Sequence, residues 1–374
     1  MYDNKRLGGV LAAVLCTGLL AACGSSSDDD SGGSASTGAA ASTAASSSGA
    51  SASSDASWCG DKPITLGIQD GGGLNGWSKA SLEQVKLEAA KCKSIKKTIV
   101  VNAGFDVQKA ISGFNGLMAQ GANAIVIIPD AGGPAELPGI KKATARGIKV
   151  VPWAASPGGT AGKDYVDYID WDTKAAGVTW GDWMAKTLKG KGNLIFLGGP
   201  AGNAVDAGTF EGLQSVVAKN PGMKLLTSKP AVANWDPAQT QKVTAGLLTK
   251  YPNIDGIVVA DGQSGAGAIR AFKAAGRKVP PIATLEANEI GCLQQKDKFP
   301  MATISARNWL GRYAVRRAVS AANDTKDGAK SIVSLPLFED SEGGKAPICK
   351  TSSPPDTFFS NDQPDSAFAP LMGN

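Results

Sequence analysis

The chain has 374 residues, 43% hydrophobic and 19% charged, with a formal net charge of +5 at pH 7. That excess is mild, and no basic cluster with interleaved aromatics concentrates it, which argues against a nucleic-acid partner. Histidine is absent, which removes His-based triads, His-rich zinc sites and imidazole acid–base chemistry.

Residues 1–22 carry Lys5 and Arg6 ahead of an apolar run over 7–22. This is the pattern of a secretion signal, shorter than the about 20 apolar residues of a comfortable transmembrane helix. It ends in Leu20-Ala21-Ala22-Cys23, which resembles a bacterial lipobox. The resemblance implies that Cys23 becomes the lipidated first residue of an exported protein, anchored at the outer face of the cytoplasmic membrane. Residues 24–57 are almost wholly Ser, Ala, Gly, Thr and Asp. Such a segment buries too little apolar surface to offset its ordering entropy. With Cys23 it reads as a disordered tether over 23–57, spanning roughly 30 Å as a flexible coil.

From Ile64 onward, short apolar runs alternate with amphipathic helices. A strand is expected over 64–68, a loop over 69–76 and a helix over 77–91 with Leu82, Val85 and Ala89 on one face. A strand over 98–101 precedes a helix over 105–120, with Asp106 as its N-cap. The run 124–128 is largely β-branched and stops at Pro129, so it reads as a strand buried on both faces. Asp130 follows it directly, where open α/β sheets place their ligands. A helix over 138–145 and a strand over 149–152 complete this half, ending at Trp153.

The glycine-rich stretch 156–163 interrupts the rhythm before a strand over 165–169. Asp172 caps a helix to about 188, and a strand over 193–197, a helix to about 220 and a strand over 224–228 follow. Asp236-Pro237 starts a helix over 237–250, and the strand 256–260 ends, like the first buried strand, on an acid, Asp261. A helix over 265–275, strands over 282–285 and 302–305, a helix over 309–322 and a strand over 332–335 are expected next. Residues 343–374 read as an irregular tail. Arg307, Arg312, Arg316 and Arg317 read as a solvated helix face, and Trp171, Trp180 and Trp183 as core. Strict alternation of strand and helix means parallel sheets with helices on both faces.

Cys59, Cys92, Cys292 and Cys349 remain in the body, an even number in an exported chain, which suggests two disulfides. The start of a strand and the end of the following helix lie at one edge of a βα unit, so 59–92 is favoured, leaving 292–349.

Three features together resemble the ribose/galactose-type periplasmic binding proteins of sugar ABC importers. They are the loop with Asn75-Gly76-Trp77, the stretch Gln120-Gly121-Ala122-Asn123-Ala124-Ile125-Val126 with Asp130, and Asp255-Gly256-Ile257-Val258 with Asp261 and Gly267-Ala268-Ile269-Arg270-Ala271. The resemblance covers about residues 62–340 and implies the type I fold: two Rossmann-like lobes with parallel sheets joined by three hinge crossovers. It places lobe 1 at 59–169 plus 307–334, lobe 2 at 170–306 plus 335–350, and an irregular tail at 351–374. The crossings fall near 168–170, 306–308 and Pro336. It also implies a binding protein without catalysis, cofactor or metal, read as a monomer with a small-molecule ligand and a membrane ABC permease as partners.

Positions matching the family's sugar-reading pattern are Asn75, Trp77, Asp130 and Trp153 in the first lobe. In the second they are Asp172, Asn203, Asp206, Trp235, Asp261 and Glu286, with Asn308 at a crossing. Carboxylates accept from vicinal hydroxyls, and an indole covers the C–H face of a pyranose. The family usually places arginines in the cleft, after the fourth strand and on a second-lobe helix. Here those places read Trp153-Ala154-Ala155 and Asp206-Ala207-Gly208. An acidic, Trp-rich cleft also suits a cationic ligand. A sugar or polyol is therefore the leading ligand, with an amine-bearing one as the alternative. A sensory receptor subunit and a secreted glycosidase using paired carboxylates are the rival functions.

Overall fold

The computed structural model describes residues 56–73 and 75–364, all within one compact unit. The leader, Cys23 and nearly all of the tether lie outside the described residues. The first half runs β1 (Ile64–Asp70), α1 (Gly76–Ala89), β2 (Ile95–Asn102), α2 (Val107–Ala119), β3 (Ala124–Ile128), α3 (Leu137–Ala145) and β4 (Lys149–Pro152). Its four strands pair in parallel in the order β2-β1-β3-β4, with Ile68 opposite both Val100 and Val126. All five residues of β3 are buried, as a β-branched run flanked on both faces by helices requires. Asp106 starts α2 by accepting from the backbone of Gln108 and Lys109 at 2.9 and 3.0 Å, and Gly121, at φ +83°, carries the chain out of it.

The second half follows a two-residue strand, β5 (Asp170–Trp171). It runs α4 (Thr173–Thr187), β6 (Lys191–Gly198), α5 (Ala204–Lys219), β7 (Gly222–Leu225), β8 (Ala231–Val232), α6 (Pro237–Lys250), β9 (Gly256–Val259), α7 (Gly262–Ala274), β10 (Ile282–Leu285), α8 (Asn288–Asp297) and β11 (Met301–Ile304). The chain closes with α9 (Leu310–Asn323), β12 (Ile332–Val333) and β13 (Leu337–Asp340). The second sheet has the order β13-β11-β10-β9-β6-β7, with β8 also on β6, and is parallel except for β13. Each sheet reverses its strand order once, between β1 and β3 and between β6 and β9. Ligand crevices of open α/β sheets form at such switch points.

The chain passes between the two sheets three times. It leaves β4 and reaches α4 through β5; it leaves β11 and returns to α9, which packs on α1, β3 and β4; and it leaves α9 through β12 to reach β13. Two of these passages pair with each other, β5 with β12, through Asp170 N to Ser331 O and Asp172 N to Val333 O, both 2.8 Å. Arg317 of α9 ties the same region by ion pairs to Asp167 and Asp327.

Several elements differ from expectation. Residues 165–169 are not a strand: they make only isolated bridges, and Asp167 and Tyr168 spend their polar groups on Ser331, Arg317 and Asp170. The two-residue β8 is too short to show a pattern, and β13 escapes it because its two buried residues, Glu339 and Asp340, are acids rather than an apolar run. Helix α8 escapes it because its buried face includes Asn288 and Gln294. Their amides donate to backbone carbonyls of Lys350, Ser353, Pro354 and Phe299, so the apolar period is missing while the polar groups are satisfied. The segment 343–364 is packed rather than a loose tail: it holds a 3-10 turn over Phe359–Asp362, and Phe358 and Phe359 are buried.

Both expected disulfides, Cys59–Cys92 and Cys292–Cys349, are bonded. The first staples the entry to β1 onto the turn after α1. A Cys59→Ser/Cys92→Ser protein should lose about 3–4 kcal/mol of stability, the chain-entropy worth of a loop of this size, read as a lower urea midpoint.

Candidate functional site

A cavity lined by residues of both halves lies where the carboxyl ends of the two sheets meet. Asn75, Trp77 and Ser78 reach it from the β1–α1 turn, Phe105 from the β2–α2 turn, Asp130 from the end of β3, and Ala154 and Ala155 from beyond β4. Across from them stand Val205, Trp235, Ala260, Asp261 and Leu285, at the corresponding ends of the second half. Arg307, on the passage from β11 to α9, lies between the two groups.

Strain marks this place. Among the described residues eight non-glycine positions have positive φ, and four of them line the cavity: Phe105, Ala154, Trp235 and Arg307, at +60°, +61°, +50° and +59°. Such conformations cost of order 1–3 kcal/mol each and persist where the surroundings over-determine them, chiefly at binding and active sites. Two glycines make room for the lining. A Cβ on Gly199 would stand 2.1 Å from the Trp235 ring, and one on Gly71 would stand 2.0 Å from Asp130 Oδ1.

Electrostatically the site is acidic around one cation. Burial, reinforced by the charges of Asp70 and Glu136, drives the Asp130 carboxyl well above its ordinary value, and its Oδ1 has no hydrogen-bond partner. Burial also lifts Asp70 to about 6, against a hydrogen bond from Gly72 N at 3.1 Å, and lifts Glu136 to about 7. Glu136 accepts from Gln69 Nε2 at 2.7 Å and Gly132 N at 3.0 Å, bracing the turn that carries Asp130. Asp261 caps α7 through Ser264 N at 2.7 Å and is raised by its burial.

Arg307 is 6% exposed, and its guanidinium lies 4.5 Å from the Trp171 ring centre and 5.1 Å from that of Trp77. Its Nε stands 3.7 Å from Asp170 Oδ1, and Asp170 also accepts from the Tyr168 hydroxyl. Burial pulls its pKa down, opposed by Asp170, Tyr168, Asp261 and Asp130 in turn. The cation of this Trp-rich acidic box is thus the protein's own.

Of the eleven residues named from sequence, Asn75, Trp77, Asp130, Trp235 and Asp261 line the cavity. The other six do not. Trp153 is 2% exposed and packs behind Trp77, ring centres 6.0 Å apart. Asp172 caps α4 through Ala175 N, and Asn203 caps α5 through Asp206 N, each at 2.8 Å. Asp206, raised to about 6 by burial, accepts from Gly199 N and Asn203 Nδ2 and so fixes the loop beneath Trp235. Glu286 accepts from the backbone of Ala306, Phe359 and Ser360. Asn308 donates to Trp77 O at 2.9 Å and Ser81 Oγ at 2.8 Å, tying the passage 305–309 to α1. In five of these six, all but Trp153, the polar group is taken up by backbone or by a neighbour, which strand-end position alone does not reveal.

The arginine reading is also corrected. Arg307 and Arg312 are buried, Arg316 pairs with buried Glu88, and Arg317 with Asp167 and Asp327, because α9 is enclosed by the first half. Phe105, Ser78 and Arg307 were missed. Arg307 follows the strand 302–305 as Asp130 follows 124–128, so the strand-end rule applied once more would have found it.

Two α/β layers joined by three passages, with a cavity at their facing carboxyl ends, define the type I periplasmic-binding-protein fold. The chain belongs to the periplasmic binding protein family, whose domain it matches over residues 72–326. It is 31% identical over 194 residues to a xylitol-binding protein of Mycolicibacterium smegmatis, an alignment spanning 51% of this chain and about half, 53%, of that protein. It is 27% identical over 245 residues to the ribose import binding protein of Haemophilus influenzae, covering 65% of this chain and 81% of the relative. In fold it is similar to the arabinose ABC transporter's periplasmic binding component from Shewanella sp. ANA-3, with a TM-score of 0.66 and 22% identity over 73% of this chain and 91% of that one.

Proposed function

We propose that this protein captures a neutral sugar or polyol between its two halves and hands it unchanged to an ABC importer. The observation that carries the reading is a cavity in which indoles from opposite halves, Trp77 and Trp235, stand beside Asp130, Asp261 and Arg307. Acceptors on both sides and one planar donor suit vicinal hydroxyls, and indole faces suit C–H surface. Relatives named for xylitol and ribose support the same class. An amine is disfavoured because Arg307 already occupies the place between Trp77 and Trp171. Export, a lipid anchor on Cys23, a permease partner and action as a monomer complete the proposal, the first two supported by the leader and its Leu-Ala-Ala-Cys ending.

Calorimetric titration with xylitol, ribose, arabinose, myo-inositol and a set of aliphatic amines tests it. A neutral polyhydroxy compound should bind, and Trp235→Ala should weaken that binding roughly 10- to 100-fold, as loss of a central aromatic contact does. Heat from amines alone, or turnover of any titrant, would overturn the reading.

A further inference from the structure

Residues 349–364 lie beyond the family match, which ends at 326, and none of them lines the binding cavity. Residues 349–364 are fastened to the second half at several points. Cys349 is bonded to Cys292 of α8, and Asn288 of the same helix donates to Lys350, Ser353 and Pro354 carbonyls at 2.9–3.0 Å. Lys350 N returns a bond to Asn288 Oδ1 at 2.9 Å, and Glu286 receives Phe359 N at 2.8 Å and Ser360 N at 3.0 Å.

The far side of the same segment meets the first half. Asp356 lies against Gly76, the first residue of α1, so closely that a Cβ there would stand 2.3 Å from its Oδ2. A carboxylate at that end of a helix is favoured by the helix dipole. Asn361 O faces Arg312 Nη2 of α9 at 3.4 Å, and Trp77 and Ala80 of α1 pack on the cluster that contains Phe358. Between the two sides, Ser360 Oγ reaches Ser305 Oγ at 2.8 Å on the passage from β11 to α9. Separating the halves must break the contacts at Gly76 and Arg312 while those at α8 remain.

We propose that residues 349–364 form a clasp, built on α8 and closing on α1 and α9, that holds the two halves together over the cavity. The Cys292–Cys349 bond makes that hold depend on an intact disulfide, so the clasp sets how readily the protein opens. The inference concerns opening alone and stands whether the solute is a sugar or something else.

Hydrogen exchange followed by mass spectrometry, on the full chain without added ligand, tests it. In Cys292→Ser/Cys349→Ser the cavity turns remote from the clasp, 154–155 and 234–236, should exchange roughly tenfold faster, as the anchored end gains freedom, while β9 and β10 stay protected. Asp356→Lys, which leaves the disulfide intact, should quicken the same turns roughly two- to fivefold by placing a cation at the helix N-terminus. Faster exchange confined to 76–81, or spread evenly through β9 and β10, would overturn the proposal, since either result means local packing rather than a clasp. Unchanged exchange in both variants overturns it as well.

Discussion

Replacing Arg307 with leucine is expected to cost about 3–5 kcal/mol of folding stability at neutral pH, the usual effect of removing one partner from a buried ion pair. Asp170 would be left buried without its cation, and Asp130 and Asp261 would lose the one that moderates them. The loss should shrink in acid. Asp170 already has a pKa raised by burial above its ordinary 3.8, and removing the guanidinium raises it further. A carboxyl raised in the folded state favours folding fully below its unfolded value, and that contribution is lost as pH rises through the folded value. Urea unfolding should therefore bring the variant nearer to the parent at pH 5 than at pH 7.5. The variant should also fail to respond to any solute the parent binds, since the cavity loses its planar donor. Arg307→Lys should recover part of the stability but little of the binding, because an ammonium does not stack between Trp77 and Trp171 as a guanidinium does. Equal stability of the leucine variant and the parent at pH 7.5 would contradict this account.

Glu286→Ala should cost a comparable amount for a different reason. Its carboxylate receives backbone N–H groups from Ala306, Phe359 and Ser360 at 3.1, 2.8 and 3.0 Å, and truncation strands all three at roughly 1–3 kcal/mol each before the loop relaxes. Burial pushes the Glu286 carboxyl from 4.5 to about 7, so its contribution is fully present below about 4.5 and fades as pH rises through about 7. Glu286→Gln keeps an acceptor and removes the titration. Its unfolding midpoint should change less between pH 5 and pH 8 than the parent's, whereas the alanine variant should be destabilised at both. A glutamine variant with the parent's full pH slope would show that another carboxyl, Glu136 or Asp206 first, carries the dependence.

Much of the architecture could be read from one sequence because its determinants are local. The run 124–128 is buried in any parallel sheet that contains it, and Asp106 and Asp236 start their helices by contacts two or three residues away. Asp130 and Asp261 were legible for the same reason: each follows a buried strand directly, and the end of a strand is where the sheet opens. Helix α8 was not legible, because the groups that satisfy Asn288 lie 62–66 residues further along the chain.

The roles of the polar residues divide along that line. The alternation of strands and helices, the two acids at strand ends and the absence of imidazole chemistry are properties of short segments and composition, legible before any packing. Packing alone makes Glu286 and Asn308 hold backbone rather than face the cavity, sets Arg307 between two indoles, and lays residues 349–364 across both halves. A polar side chain near a strand end has many partners within reach, and which one it takes depends on groups brought together from distant parts of the chain by packing.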